Sequence, residues 1–125
     1  MDSKNKTSYL FILLYLVFIT CGSLSAVPLK VEIPNWDKVI HMLLYIPLGF
    51  FLSLPKIYSC SVLNFFVPLG FVSLYGGILE LLQHLVPGRA PSWYDEIANV
   101  IGAGIGLSLG FLLKNKQRGE KREES

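Results

Sequence analysis

The chain has 125 residues, with 11 Lys+Arg against 9 Asp+Glu; that is 16% charged, where soluble domains carry roughly 25%. Residues 7–29, 39–55, 57–79 and 97–113 carry no charge, and these runs hold 80 residues, so every charge falls in the other 45. A core this small cannot hide 80 uncharged residues, which excludes a soluble globular domain and a disordered chain. A net charge of +2 excludes the electrostatic footprint of a nucleic-acid-binding module.

Each uncharged run approaches the roughly 17–25 residues that a helix needs to cross the hydrocarbon of a bilayer. The expectation is an all-α membrane protein, a compact bundle of four transmembrane helices at about 8–26, 38–54, 61–85 and 94–113. A transmembrane barrel would need alternation of polar and apolar residues, and 9–20 is apolar all round. The first run has a second reading: Lys4 and Lys6 precede it, and Ser23, Ser25 and Ala26 follow it, as in a signal peptide. Cleavage after Ala26 would put Leu24 where a small residue is preferred, so helix one is read as retained.

Lys and Arg placement sets the orientation. With the N-terminus inside, Lys4, Lys6, Lys56, Lys114, Lys116, Arg118, Lys121 and Arg122 are inside; Lys30, Lys38 and Arg89 are outside. The bias favours N-in and C-in. Residues 1–7 are then a cytoplasmic N-terminus, 8–113 the membrane domain, and 114–125 a charged cytoplasmic tail, solvated and partly disordered. Cys21 and Cys60 fall at opposite ends of the bundle, so no bridge between them is expected.

The polar residues inside these runs carry the information. On helix two Asp37 and His41 stand at i and i+4, on one face that Tyr45 and Leu48 extend. Helix three carries Gly70, Ser73, Gly77, Glu80 and His84 at steps of 3, 4, 3 and 4, a narrow stripe whose small residues invite a neighbouring helix. Glu80, with Gln83 on the next turn, is the costliest of these, because a carboxylate near hydrocarbon must be paired, protonated or wet. The following loop holds a Pro87-Gly88 turn and Arg89. Ser92 and Asp95 have capping-box spacing at the start of helix four, and Trp93 and Tyr94 suit the membrane interface. Asp95 and Asn99 again share a face, continued by a packing stripe of Gly102, Gly106 and Gly110. Asp37, Lys38, His41, Glu80, Gln83, Arg89, Asp95 and Asn99 thus gather at one membrane face, as a polar pocket opening to the extracytoplasmic side.

The pattern resembles the VanZ-like family of bacterial membrane proteins. The residues that carry the resemblance are Asp37-Lys38-x-x-His41 with Tyr45 and Gly49, then Glu80-x-x-Gln83, then Pro87-Gly88-Arg89. Ser92-x-x-Asp95-x-x-x-Asn99-x-x-Gly102-x-x-x-Gly106 completes it. It covers about 35–112. The resemblance implies a small multi-pass protein of the bacterial cytoplasmic membrane, in a family named for a protein linked to resistance to teicoplanin.

The first functional expectation is a non-enzymatic envelope protein. Its pocket binds a lipid head group or a cell-wall precursor, with Arg89 and Lys38 facing an anion. The alternative is a membrane-embedded enzyme acting on a phospholipid or polyprenyl phosphate, with His41 or Glu80 as general acid or base. A proton or ion pathway is a third reading, weakened by polar groups confined to one face, with only Ser53, Ser73 and Ser108 towards the other. A divalent metal on Asp37, His41, Glu80 and Asp95 lacks the spacing of any established motif, so no metal or cofactor is assigned. The expected partners are the lipid bilayer and that lipid or wall ligand, with no nucleic acid.

Overall fold

A computed structural model describes residues 3–25, 33–55 and 62–125. Lys30, Lys56, Cys60 and the cleavage position after Ala26 lie outside the described residues. The described residues form four helices and no strand: α1 Ser3–Leu24, α2 Trp36–Ser53, α3 Val62–Gln83 and α4 Trp93–Glu123.

Three of these, α1, α3 and α4, are long and apolar enough to cross a membrane. The fourth expected span is a helix of 18 residues, but Trp36, Asp37, Lys38 and His41 occupy its first two turns. Those polar turns are what dilutes it. The tail also departs from expectation. Beyond Leu113, α4 continues to Glu123 as an exposed helix rather than a disordered end. Lys, Arg, Glu and Gln are good helix formers, and Lys116 lies 4.0 Å from Glu120 across one turn.

The bundle turns its apolar surface outward. Leu10, Leu14 and Phe18 on α1 and Phe66, Leu74 and Leu81 on α3 are exposed, as a lipid-facing surface requires. Only 11% of the apolar stretch of α1 is buried, against 44% of that of α4. The last helix is therefore the central one, and the first is peripheral.

Within lipid, helices associate by close packing rather than by escaping water. The largest interface joins α2 to α4. The two run parallel: Gly102 sits on the Met42 backbone, Gly106 on Ile46 and Phe50, and Gly110 on Ser53. Gly49 returns the contact on Ala103. A Cβ at any of these glycines would overlap its neighbour. Tyr45, Leu48, Leu52, Ala103 and Leu107 are buried beside this seam, in one core with Ile12 and Ile19 of α1 and Val72 and Leu79 of α3. On α3 the expected packing stripe is displaced. Gly70 and Gly77 have nothing within 4 Å of a Cβ, whereas Gly76 packs against Glu96 and Asn99. The buried face of α3 is Val72, Gly76, Leu79, Glu80 and Gln83, one residue round the helix from the stripe read in the sequence.

Helix α1 is held by polar tethers. The Tyr15 hydroxyl donates to the Leu44 carbonyl at 2.8 Å, and the Tyr75 hydroxyl to the Leu16 carbonyl at 2.8 Å. Thr20 completes the second contact, 2.8 Å from the Tyr75 hydroxyl.

Gly106→Leu should abolish folded yield in detergent extracts, because its side chain would drive α2 off α4. Leu112→Ala, at an exposed position on the same helix, should leave that yield near wild type. Quantitative immunoblotting of the membrane fraction, followed by size-exclusion chromatography, reads both.

Candidate functional site

The polar end of the α2–α4 seam is where the site forms. His41, on the second turn of α2, comes up against Asn99 on α4, with Nδ1 3.0 Å from Oδ1. Its Nδ1 is 4.0 Å from Glu80 Oε1 and its Nε2 is 3.7 Å from Asp95 Oδ2. Glu80, Asp95, Glu96 and Asn99 are each less than a tenth exposed.

A hydrogen-bond relay orients the histidine. Ser73 Oγ donates to Glu96 Oε1 at 3.1 Å, and Asn99 Nδ2 donates to Glu96 Oε2 at 3.2 Å. The Asn99 amide nitrogen is thus committed to Glu96, and its carbonyl oxygen turns to His41. An acceptor there is satisfied only if Nδ1 bears the proton. The neutral imidazole then carries its lone pair on Nε2, towards Asp95. Gly76 makes room for this relay; a Cβ there would stand 3.1 Å from Asn99 Nδ2 and overlap Glu96.

The start of α4 does not use its expected capping box. Ser92 is the N-cap, but its side chain makes no capping bond. Its backbone N–H instead donates to Glu80 Oε2 at 3.1 Å, so a carboxylate from α3 serves the positive end of α4. Asp95 is freed from the cap. Its Oδ1 is buried without a hydrogen-bond partner, 3.8 Å from Lys38 Nζ. Lys38 in turn pairs with the exposed Asp37 at 3.1 Å.

Gln83 and Arg89 do not join the acids. Gln83 Nε2 and Arg89 Nη1 both donate to the carbonyl of Ser23, at 3.2 and 2.9 Å. Ser23 lies in the last turn of α1, where carbonyls lack helical partners and a cation is favoured. The two side chains fasten α1 to the top of α3. Beside the acids, between α3 and the start of α4, is a cleft of about 330 Å³. Leu74, Ile78, Leu81 and Trp93 give it apolar walls, and Glu80 and Glu96 reach into it.

A family model, VanZ/LLP1, matches residues 4–114. The chain belongs to the VanZ/LLP1 family. The match takes in α1 as well as the 35–112 region that bears the motifs. Neither the curated proteins nor the solved structures contain a match to it. In this VanZ/LLP1 chain His41, Glu80, Asp95 and Asn99 come together, Lys38 and Asp37 border them, and Gln83 and Arg89 stand apart. Glu96 and Ser73 are members that the sequence reading did not place in the pocket. The available signal was spacing, since Glu96 is three residues before Asn99 and therefore shares its face.

Arg89→Ala should loosen α1 without dispersing the acids. A hydrogen bond from a charged donor contributes about 1.5–3 kcal/mol, so thermal unfolding in detergent should begin several degrees lower. Trypsin should then cut beside Lys4 and Lys6 faster than in the wild type, with cleavage of the exposed end of α4 unchanged.

Proposed function

We propose that this protein binds a membrane lipid at one end of its bundle. The hydrocarbon would lie in the cleft between α3 and α4, and the polar head beside Glu80 and Glu96, which line it. The observation that carries this reading is the cleft itself: its walls are apolar, it lies on the lipid-facing side of α3, and buried polar groups border it. Pockets of about 300–1,000 Å³, mostly apolar with a few convergent polar groups, are the usual form of a ligand site. The candidates by chemistry are phospholipids and lipid-linked wall precursors. A link to teicoplanin-type resistance rests on the family and would act through this site, by altering access to such a precursor.

The oriented histidine favours a second reading. A neutral imidazole held by Asn99 and Glu96, with a free Nε2, is equipped as a general base. Turnover of the bound lipid would then involve His41. A proton pathway gains no such support. Ser73 bonds to Glu96 and so belongs to the site, and the core beyond it includes Leu48, Ala103 and Leu107.

Native mass spectrometry of the detergent-purified protein should show a retained lipid. Ile78→Trp, which fills the cleft, should remove it, and retention by that variant would refute the cleft as its seat. Extraction and thin-layer analysis of lipid incubated with the protein separates binding from turnover.

The site is proposed to face outward from the cytoplasmic membrane. Among the described residues, Lys4, Lys6, Lys114, Lys116, Arg118, Lys121 and Arg122 stand at the end opposite the site, where only Lys38 and Arg89 are found. A topology reporter fused after Ser125 should therefore read cytoplasmic, and activity of a periplasm-type reporter there would invert the assignment.

A further inference from the structure

We infer that His41, Glu80 and Asp95 form a binding site for a divalent metal ion of the zinc class. One donor atom from each residue lies within 4.8 Å of the others. Metal bonds of about 2.0–2.2 Å put donors no more than about 4.4 Å apart across the ion, so small side-chain rotations close the set.

Two features beyond the clustering point to a cation. The first is Asp95. Its side chain is 9% exposed, and its Oδ1 is fully buried with no hydrogen-bond partner. Lys38 Nζ, at 3.8 Å, is beyond hydrogen-bond range. A carboxylate oxygen left so is costly in protein and costlier near lipid. The second is the tautomer of His41. In the neutral ring Asn99 fixes the proton on Nδ1, which leaves the Nε2 lone pair facing Asp95 Oδ2 at 3.7 Å. In that form two acceptors face each other, too far apart to share a proton. An electrophile between them satisfies both. The arrangement is that of a metal-binding histidine, whose other nitrogen donates to a fixed oxygen that sets the ring and raises its basicity. Here Asn99 is that oxygen, and Glu96 with Ser73 holds Asn99.

The donor set selects the ion class. Imidazole nitrogen suits zinc and neighbouring transition ions, and carboxylates tolerate them, whereas magnesium and calcium prefer oxygen alone. Two carboxylates and a neutral imidazole carry two negative charges, matching a divalent ion. Three protein ligands leave coordination open to a further group, as in metal sites that hold a substrate or water. The inference stands without the lipid reading, because these donors do not depend on what fills the cleft.

The test uses the full chain in detergent, stripped with a chelator and dialysed against Co²⁺ or Zn²⁺. The expected result is one ion per chain, with the intense visible absorption of low-coordinate Co²⁺ and no displacement by excess Mg²⁺. Asp95→Asn and His41→Ala should lose the ion. Asn99→Ala should weaken it about 10–100-fold, and His84→Ala, at the chain's other histidine, should leave uptake unchanged. Wild-type protein that takes up no ion, or uptake that survives both Asp95→Asn and His41→Ala, overturns the inference. If those variants do not accumulate, the wild type decides: Zn²⁺ should raise its unfolding midpoint, and a midpoint indifferent to Zn²⁺ overturns the site. An ion bound by protein that retains no lipid would sink the lipid reading alone.

Discussion

Gly49, Gly102, Gly106 and Gly110 let the backbones of α2 and α4 touch along a parallel seam. The site depends on that contact. His41 directly precedes Met42, the last close approach on α2, and Asn99 lies one turn beyond Gly102 on α4, so their 3.0 Å separation is set by how near the two axes come. Glycine stripes in membrane helices are usually discussed as a means of association. Here the same stripe also sets the distance between two functional side chains. A substitution several turns away, with no polar contact of its own, would act on the histidine through the axis separation.

Three buried carboxylates at one end of a small membrane bundle require compensation, and each finds it differently. Glu80 accepts the first free N–H of α4, and Glu96 accepts from Ser73 and Asn99. Asp95 has the least, with Lys38 at a distance and His41 beside it. Such unevenness is informative. Where two acids accept hydrogen bonds and the third has a buried oxygen that accepts none, the third marks where an outside group would be received.

Much of this was legible from spacing. The pairs Asp37–His41 and Asp95–Asn99 declared their faces by i and i+4, and Glu80 stood out by the cost of its charge. The four helices followed from the lengths of the uncharged runs. What escaped had physical reasons. Small size was taken as the mark of packing on α3, but a small residue is equally at ease against lipid, and Gly77 proved open while its neighbour Gly76 was enclosed. Glu96 borders an apolar run, and charges at helix ends are ordinarily in water. Arg89 was expected in the polar pocket. The unpaired carbonyl of Ser23, invisible before the helices are assembled, holds it instead.

Helix α4 also works as a depth gauge. Tyr94 and Lys114 are separated by about 30 Å at 1.5 Å per residue, the thickness of a bilayer's hydrocarbon. Trp93 and Tyr94 are exposed at one end, suited to the headgroup layer, and Lys114 bonds the Pro55 carbonyl at the other, followed by charge. With both ends pinned, the helix has little freedom to slide along the membrane normal. Asp95, Glu96 and Asn99, counted from the aromatic end, therefore sit within a turn or two of the headgroups at a fixed level. A thicker or thinner bilayer would be met by tilt, which carries the His41 cluster sideways while keeping it at the waterline.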